Sequence, residues 1–293
     1  MIVVDLQKDF IIFFTLTLLE KVFGDHLLKQ NELPSLIVLL SSLLFLIISF
    51  FKSTRVIYFK IKWIILISAL LTYDSFIKTY INLASTSNLK EIVMENVYLI
   101  AVNILNARVT GIVFLPKQNY AMVCIVVFGI IQISYPYFKY DFIDLHPRDF
   151  FNFLGTLGGA VGLIIFKEKV ERKVKSVWNY TLTLSLYNSI FAGLIYAFDI
   201  VVVKKGLVFN ISLSETFVVL FLSGLSDLYF NRLTFSVQPY VLLTSLRLVN
   251  FINSLLSDLI NQNSLDIFSF ILAVLSTIAS QAILYYDEEN SFF

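Results

Sequence analysis

Residues 158–185 read GGAVGLIIFKEKVERKVKSVWNYTLTLS. An apolar run with closely spaced glycines meets a basic knot, and Ser176-Val177-Trp178 then leads straight into a second apolar run. This is the pattern of two membrane-spanning helices joined by a charged turn. Lipid solvates the apolar runs, and the lysines and arginines stay in water on one side. Gly155, Gly158, Gly159 and Gly162 permit close helix approach through small side chains. A phosphate-binding loop at the same glycines would need a preceding strand and a lysine spacing that are missing here.

Composition agrees along the whole chain. The 293 residues are 58% hydrophobic and 15% charged, against roughly 25% charged in an ordinary soluble domain. Mean hydropathy is +0.81. A soluble fold of this length has no place to hide so much apolar surface, so the expected class is an all-α polytopic membrane protein. The net charge of +1 offers no field for nucleic acid, and none is expected as a partner. Cys124 is the only cysteine, which excludes an internal disulfide and a cysteine metal cluster. His26 and His146 lie far apart in sequence and suggest no metal site. The run 10–19 follows Asp5, Lys8 and Asp9 and precedes no small-residue cleavage site, so it reads as a retained first span.

Taking about 20 apolar residues per crossing, the chain divides into spans over 9–24, 34–51, 63–83, 91–114, 120–137, 150–166, 178–200, 207–230, 235–256 and 265–286. The lysines and arginines concentrate after the even spans: Lys52, Arg55, Lys60 and Lys62, then Arg108 and Lys117, then the knot from Lys167 to Lys175, then Arg232. Fewer follow the odd spans, among them Lys29, Lys90 and Lys204. The bias places both termini in the cytoplasm.

Polar residues inside these spans are the candidate site. Arg247 lies mid-span, where a charge costs at least about 2.5 kcal/mol on insertion scales. Such a residue faces a cavity or an acidic partner, here Glu95 or Asp74. Lys78 sits near a span end, where its stem can snorkel to the headgroups. The fourth span is the most polar. On a helix its Glu95 and Tyr98 are three apart, and Asn96 and Asn103, seven apart, nearly coincide. This stripe must look into protein or water, lining a cavity or holding helices together. A carboxylate at Glu95 repels phosphate unless Arg247 offsets it. His146-Pro147-Arg148-Asp149 has catalytic residue types without a nucleophile or metal spacing, so no enzyme is expected. Asn210-Ile211-Ser212 is a glycosylation sequon. The basic knot has a secondary reading as a binder of anionic lipid headgroups.

Several landmarks together resemble a known family. Gly162 with Lys167 is similar to the end of its sixth helix, where a glycine precedes an aromatic-acid-lysine signature. Ser176-Val177-Trp178, followed by Leu182 and Leu184, resembles the start of its seventh, a Val-Trp, Arg-Asn, Leu-Gln-Leu pattern. IVMENVYLI at 92–100 lies where the family has a Gln-Leu-Lys core. Gln118-Asn119-Tyr120-Ala121 through Gly129 and Gln132 resembles the start of its fifth helix, and Gly224 and Thr244-Ser245-Leu246 resemble landmarks of the eighth and ninth. The family is the nucleotide-sugar transporter family, UDP-galactose and CMP-sialic acid transporter-like, of the drug/metabolite transporter superfamily. The departures fall on its polar signature. Its phosphate-proximal lysines correspond to Tyr98 and Tyr240, its Arg-Asn to Tyr180-Thr181, its helix-seven glutamine to Thr183, and its acid before Lys167 to Phe166.

The resemblance implies about ten transmembrane helices in two inverted five-helix halves, 1–139 and 140–293, forming one transporter domain. It implies an antiporter in a Golgi or endoplasmic-reticulum membrane that exchanges a nucleotide sugar for a nucleoside monophosphate. No cofactor is implied, and the partners are those two ligands, the lipid bilayer and, as an assembly, a homodimer. The expected substrate-binding residues are Arg247, Tyr98, Tyr240, Glu95, Asn96, Asn103, Thr181 and Thr183. The alternatives are a carrier of a less anionic metabolite, or a non-transporting scaffold or regulator that keeps the fold.

Overall fold

The computed structural model of the chain describes residues 6–28, 34–84, 88–111, 113–140, 147–203, 213–260 and 266–288. Among these residues the backbone forms ten α-helices and no strand: α1 (Leu6–Leu28), α2 (Pro34–Lys52), α3 (Lys62–Ala84), α4 (Asn88–Thr110), α5 (Pro116–Tyr140), α6 (Pro147–Ile165), α7 (Val177–Phe198), α8 (Leu213–Ser236), α9 (Pro239–Ile260) and α10 (Ile267–Glu288). Proline opens α2, α5, α6 and α9, where its missing N–H costs nothing. Six windows are long and apolar enough to cross a membrane: Ser35–Lys52, Leu89–Val109, Pro116–Pro136, Asp149–Lys173, Val177–Val201 and Ile267–Leu284. Large apolar side chains such as Val123, Ile130, Phe221 and Ile278 are exposed on helix faces, where lipid is their solvent. The chain is an all-α polytopic membrane protein.

Two compact units form, and neither is a contiguous half. The first takes Met1–Ala84 with Val161–Gln238; the second takes Ser85–Ala160 with Pro239–Phe293. In the first unit α2 packs on α7, α3 on α7, α8 on α2, and α1 on α8. The α2–α7 pair is antiparallel, since Asn179 meets Thr54 and Ser189 Oγ donates to Ser42 O at 3.0 Å. In the second unit α4 packs on α9, α5 on α10, and α10 on both α4 and α9. The α5–α10 pair is antiparallel too: Gln118 Nε2 donates to Ile283 O at 2.8 Å and Gln132 Nε2 to Ser269 Oγ at 3.0 Å.

Adding five to a helix number maps most of these pairs onto one another. The α2–α3 contact corresponds to α7–α8, α2–α8 to α7–α3, and α4–α5 to α9–α10. The α1–α8 contact corresponds to the approach of Gly162 on α6 to Ile67 and Leu70 on α3. Helices five apart in number cross in opposite directions when crossings alternate, which is the arrangement an inverted repeat requires. The exceptions are α4–α10 and α1–α3, whose counterparts α5–α9 and α6–α8 are not closely packed among the described residues.

Three expectations about boundaries are corrected. Helix α8 runs on to Ser236, so Phe235 ends the eighth helix and does not begin the ninth. Polar Asn231-Arg232-Leu233-Thr234 reads as a loop, but its polar groups are satisfied within the bundle. Asn231 Nδ2 donates to Asp227 O at 2.9 Å and Thr234 Oγ1 to Asn231 O at 2.7 Å, while Arg232 pairs with Asp9 of α1 at 2.9 Å. Lys90 is not a loop residue either. It is buried in the first turn of α4, with Nζ 3.8 Å from Asp149 Oδ2.

The basic knot, expected as a turn, keeps winding. A π-helical turn (Phe166–Val170) and a 3-10 turn (Glu171–Lys173) continue α6. Phe166 and Val170 are buried against Ile64, Ile67, Tyr180 and Leu184. Lys167 Nζ donates to Glu171 Oε1 at 2.8 Å and to Phe235 O at 3.2 Å. The chain then extends, and Ser176 caps α7 by accepting from Asn179 N at 3.4 Å, as an N-cap serine does.

Candidate functional site

Helix α4 is amphipathic only weakly because its polar residues point at several neighbours. Glu95 faces α9: Arg247 Nη1 donates to Glu95 Oε2, and Asn250 Nδ2 donates to the same oxygen at 3.0 Å. Arg247 is only 4% exposed. Asn250 was not among the expected site residues. Its spacing of three from Arg247 puts both on one face of α9 and was the signal available in the sequence.

Asn96 faces α10. Its Nδ2 donates to Ser276 Oγ at 3.1 Å and to Thr277 Oγ1 at 3.5 Å. Tyr98 faces α6, where its hydroxyl donates to Asp149 O at 2.9 Å and its ring lies 5.2 Å from that of Phe153. The single hydroxyl proton of Tyr98 is therefore committed to the protein, and Lys90 sits beside the same aspartate. The expected stripe on α4 thus divides among three packing partners.

Asn103 is different. It is fully buried, and neither its Oδ1 nor its Nδ2 makes a hydrogen bond among the described residues. Leaving a buried amide unpaired costs on the order of 1–3 kcal/mol. Other polar atoms of the second unit share this condition: Asn96 Oδ1, Asn152 Oδ1, Thr156 Oγ1, Arg247 Nε and Asn253 Oδ1. They lie on α4, α6 and α9. Buried polar atoms that the chain leaves unpaired mark places where water or a polar ligand supplies the partner.

The two α7 residues belong to the first unit and behave unlike each other. Thr183 Oγ1 donates to Asn179 O at 2.8 Å and accepts from Tyr58 N at 3.1 Å, so it fastens the segment after α2. Thr181 is fully buried, and its hydroxyl makes no hydrogen bond among the described residues. Tyr240 lies in α9, but its side chain is outside the described residues, as are the side chain of Lys78, His146 and the sequon at 210–212. The structure brings Glu95 and Arg247 into direct contact and places Asn96, Tyr98 and Asn103 on the same helix as Glu95.

Phe166, Tyr180 and Phe235 form an aromatic cluster. Phe166 lies 4.8 Å from Tyr180 and 4.7 Å from Phe235, ring centre to ring centre, and Tyr180 lies 5.4 Å from Phe235. Among the described residues no group of histidine, cysteine and carboxylate side chains is arranged to hold a metal.

Comparison with known families finds no family model that matches this chain, and comparison with curated proteins finds no match.

Proposed function

We propose that the protein is a membrane carrier, a diverged nucleotide-sugar antiporter that exchanges a nucleotide sugar for a nucleoside monophosphate. Its site is on α4 and α9 of the second unit. The observation that carries this reading is the buried Arg247 guanidinium, whose Nε is unpaired, on a helix packed against the one that holds the unpaired Asn103 amide. A guanidinium supplies donors shaped for a phosphate oxygen. An amide supplies one donor and one acceptor edge for sugar hydroxyls or a base. The resemblance around 158–185 and the five-step pairing of helices support a carrier fold.

One observation favours a second reading. Glu95 already neutralises Arg247, so the site has little net charge there, and a less anionic hydroxylated solute fits it better than a diphosphate does. The two readings separate by ligand binding to the purified protein. If the site takes a nucleotide, uridine or guanosine monophosphate raises the melting temperature of the wild type and leaves Arg247→Ala unmoved. Stabilisation by neutral sugars and not by nucleotides supports the less anionic solute. Binding of nucleotides that survives in Arg247→Ala removes Arg247 from the site.

A further inference from the structure

Four helix ends of the first unit meet in one basic surface. The segment after α2 does not hang free. Thr54 N and Oγ1 both donate to Asn179 Oδ1 at 3.0 Å, and Asn179 Nδ2 donates back to Thr54 Oγ1 at 2.8 Å. Tyr58 N donates to Thr183 Oγ1, and Lys175 N donates to the Tyr58 hydroxyl at 3.3 Å. Tyr58 and Ile61 pack on the cluster of Phe166, Val170 and Val174. The segment between α2 and α3 is thereby fixed against the knot between α6 and α7.

The two segments carry the same charge. Lys52, Arg55, Lys60 and Lys62 are exposed on the first, and Lys169, Arg172, Lys173 and Lys175 on the second. Two acids are interspersed, and one of them, Glu171, is held by Lys167. Arg55 is set by its backbone: φ is +61°, its N–H donates to Ser53 Oγ at 3.2 Å, and its guanidinium lies 4.6 Å from the Phe50 ring centre. Phe51, Val56, Phe59 and Trp63 are exposed among these charges. The surface sits where three apolar windows end or begin, at Lys52, Lys173 and Val177. That is the level of the headgroups.

We propose that this surface binds the phosphates of anionic phospholipids in the leaflet it faces. The charge is complementary to such headgroups, and each lysine or arginine near an anionic surface is worth about 1 kcal/mol. Exposed aromatics at the same level insert among acyl chains, which distinguishes a lipid from a soluble acidic partner. The fastening by Asn179 matters because it makes one surface out of two segments.

The test is lipid retention by the full chain in detergent, read by native mass spectrometry with phosphatidylserine and with phosphatidylcholine. The wild type retains phosphatidylserine preferentially. Lys169, Arg172 and Lys173 changed together to Gln lower its retention, by about fivefold per neutralised residue, and so do Lys52, Lys60 and Lys62 changed to Gln. Lys117→Gln, on α5 of the second unit, changes nothing. Asn179→Ala keeps every charge yet reduces retention, because the segments separate. Melting temperatures within a few degrees of the wild type show that the charge variants are folded. Equal retention of the two lipids, or retention unmoved by both charge sets, overturns the proposal. So does complete displacement by millimolar inorganic phosphate, which shows a site for a free anion. Capture of an acidic peptide with no lipid preference overturns it as well.

Discussion

Arg247 on α9 donates to Glu95 on α4, and Asn250 donates to the same carboxylate oxygen from one turn further along α9. Both members of the pair are largely buried, with side chains 4% and 13% exposed. Removing one partner of such a pair leaves the other charge uncompensated, at a cost of about 3–5 kcal/mol. Glu95→Ala and Arg247→Ala therefore each destabilise the protein strongly, and the double variant is less destabilised than the two losses added together. A double-mutant cycle in thermal melts measures the difference. Strict additivity contradicts the pairing.

A second ion pair fastens α1 to α8 in the first unit. Asp9 is 2% exposed and lies 2.9 Å from Arg232, whose guanidinium also sits 5.5 Å from the Tyr229 ring centre and 5.7 Å from that of Trp178. Arg232→Ala loses the charge and both ring contacts, and Arg232→Lys restores only the charge. Because guanidinium and ammonium differ in stacking and hydrogen-bond geometry, the lysine variant recovers part of the melting temperature lost by the alanine variant. Full recovery contradicts a role for the rings.

The cluster of Phe166, Tyr180 and Phe235 makes position 166 intolerant of a carboxylate. Phe166→Glu buries a carboxylate among apolar rings, where Phe166 is 1% exposed. An unpaired buried charge of this kind is expelled or neutralised at a cost of several kcal/mol. The variant is expected to express poorly. Phe166→Leu, which keeps the site apolar, loses about 1–3 kcal/mol and remains folded. Fluorescence-detected size-exclusion profiles distinguish the two. A monodisperse, fully stable Phe166→Glu protein contradicts the aromatic core.

Helices α4 and α5 approach at Gly129, where an added Cβ would fall on Val97 Cγ2. Gly129→Leu forces the helices apart, at a typical overpacking cost of about 1–3 kcal/mol. Val97→Ala in the same molecule relieves it, so the pair is more stable than Gly129→Leu alone. Melting temperatures of the three variants check this, and a pair no better than the single variant contradicts the close approach.

Much of the architecture could be read in the residues because lipid imposes one rule on every span. The apolar runs and the prolines at 34 and 116 mark helix limits directly, whereas Pro239, read inside the ninth span, in fact opens α9. What could not be read is what long-range pairing decides. Arg232 resembled a loop residue until Asp9, far away in sequence, was placed beside it. Lys90 resembled a loop lysine until Asp149 was. The knot at 167–175 looked like a turn because its basic residues separate two apolar runs. It stays helical as far as Lys173 because Phe166 and Val170, at i and i+4, both turn inward onto α3 and α7. Within the candidate site, Glu95 and Arg247 were readable as an alternative pairing, and the structure makes that pair. The division of the α4 stripe was not readable, because Asn96 and Tyr98 bond to residues of α10 and α6 that carry no mark of their own.

The central claim is transport, and exchange across a membrane tests it most directly. Proteoliposomes holding the full chain are preloaded with uridine, guanosine or cytidine monophosphate and given labelled UDP-, GDP- or CMP-sugars. The account predicts uptake that depends on one matching monophosphate and is lost in a folded Arg247→Ala protein. Well-folded wild type that exchanges no member of the panel contradicts it and leaves the fold to a scaffold or to a carrier of a less anionic solute.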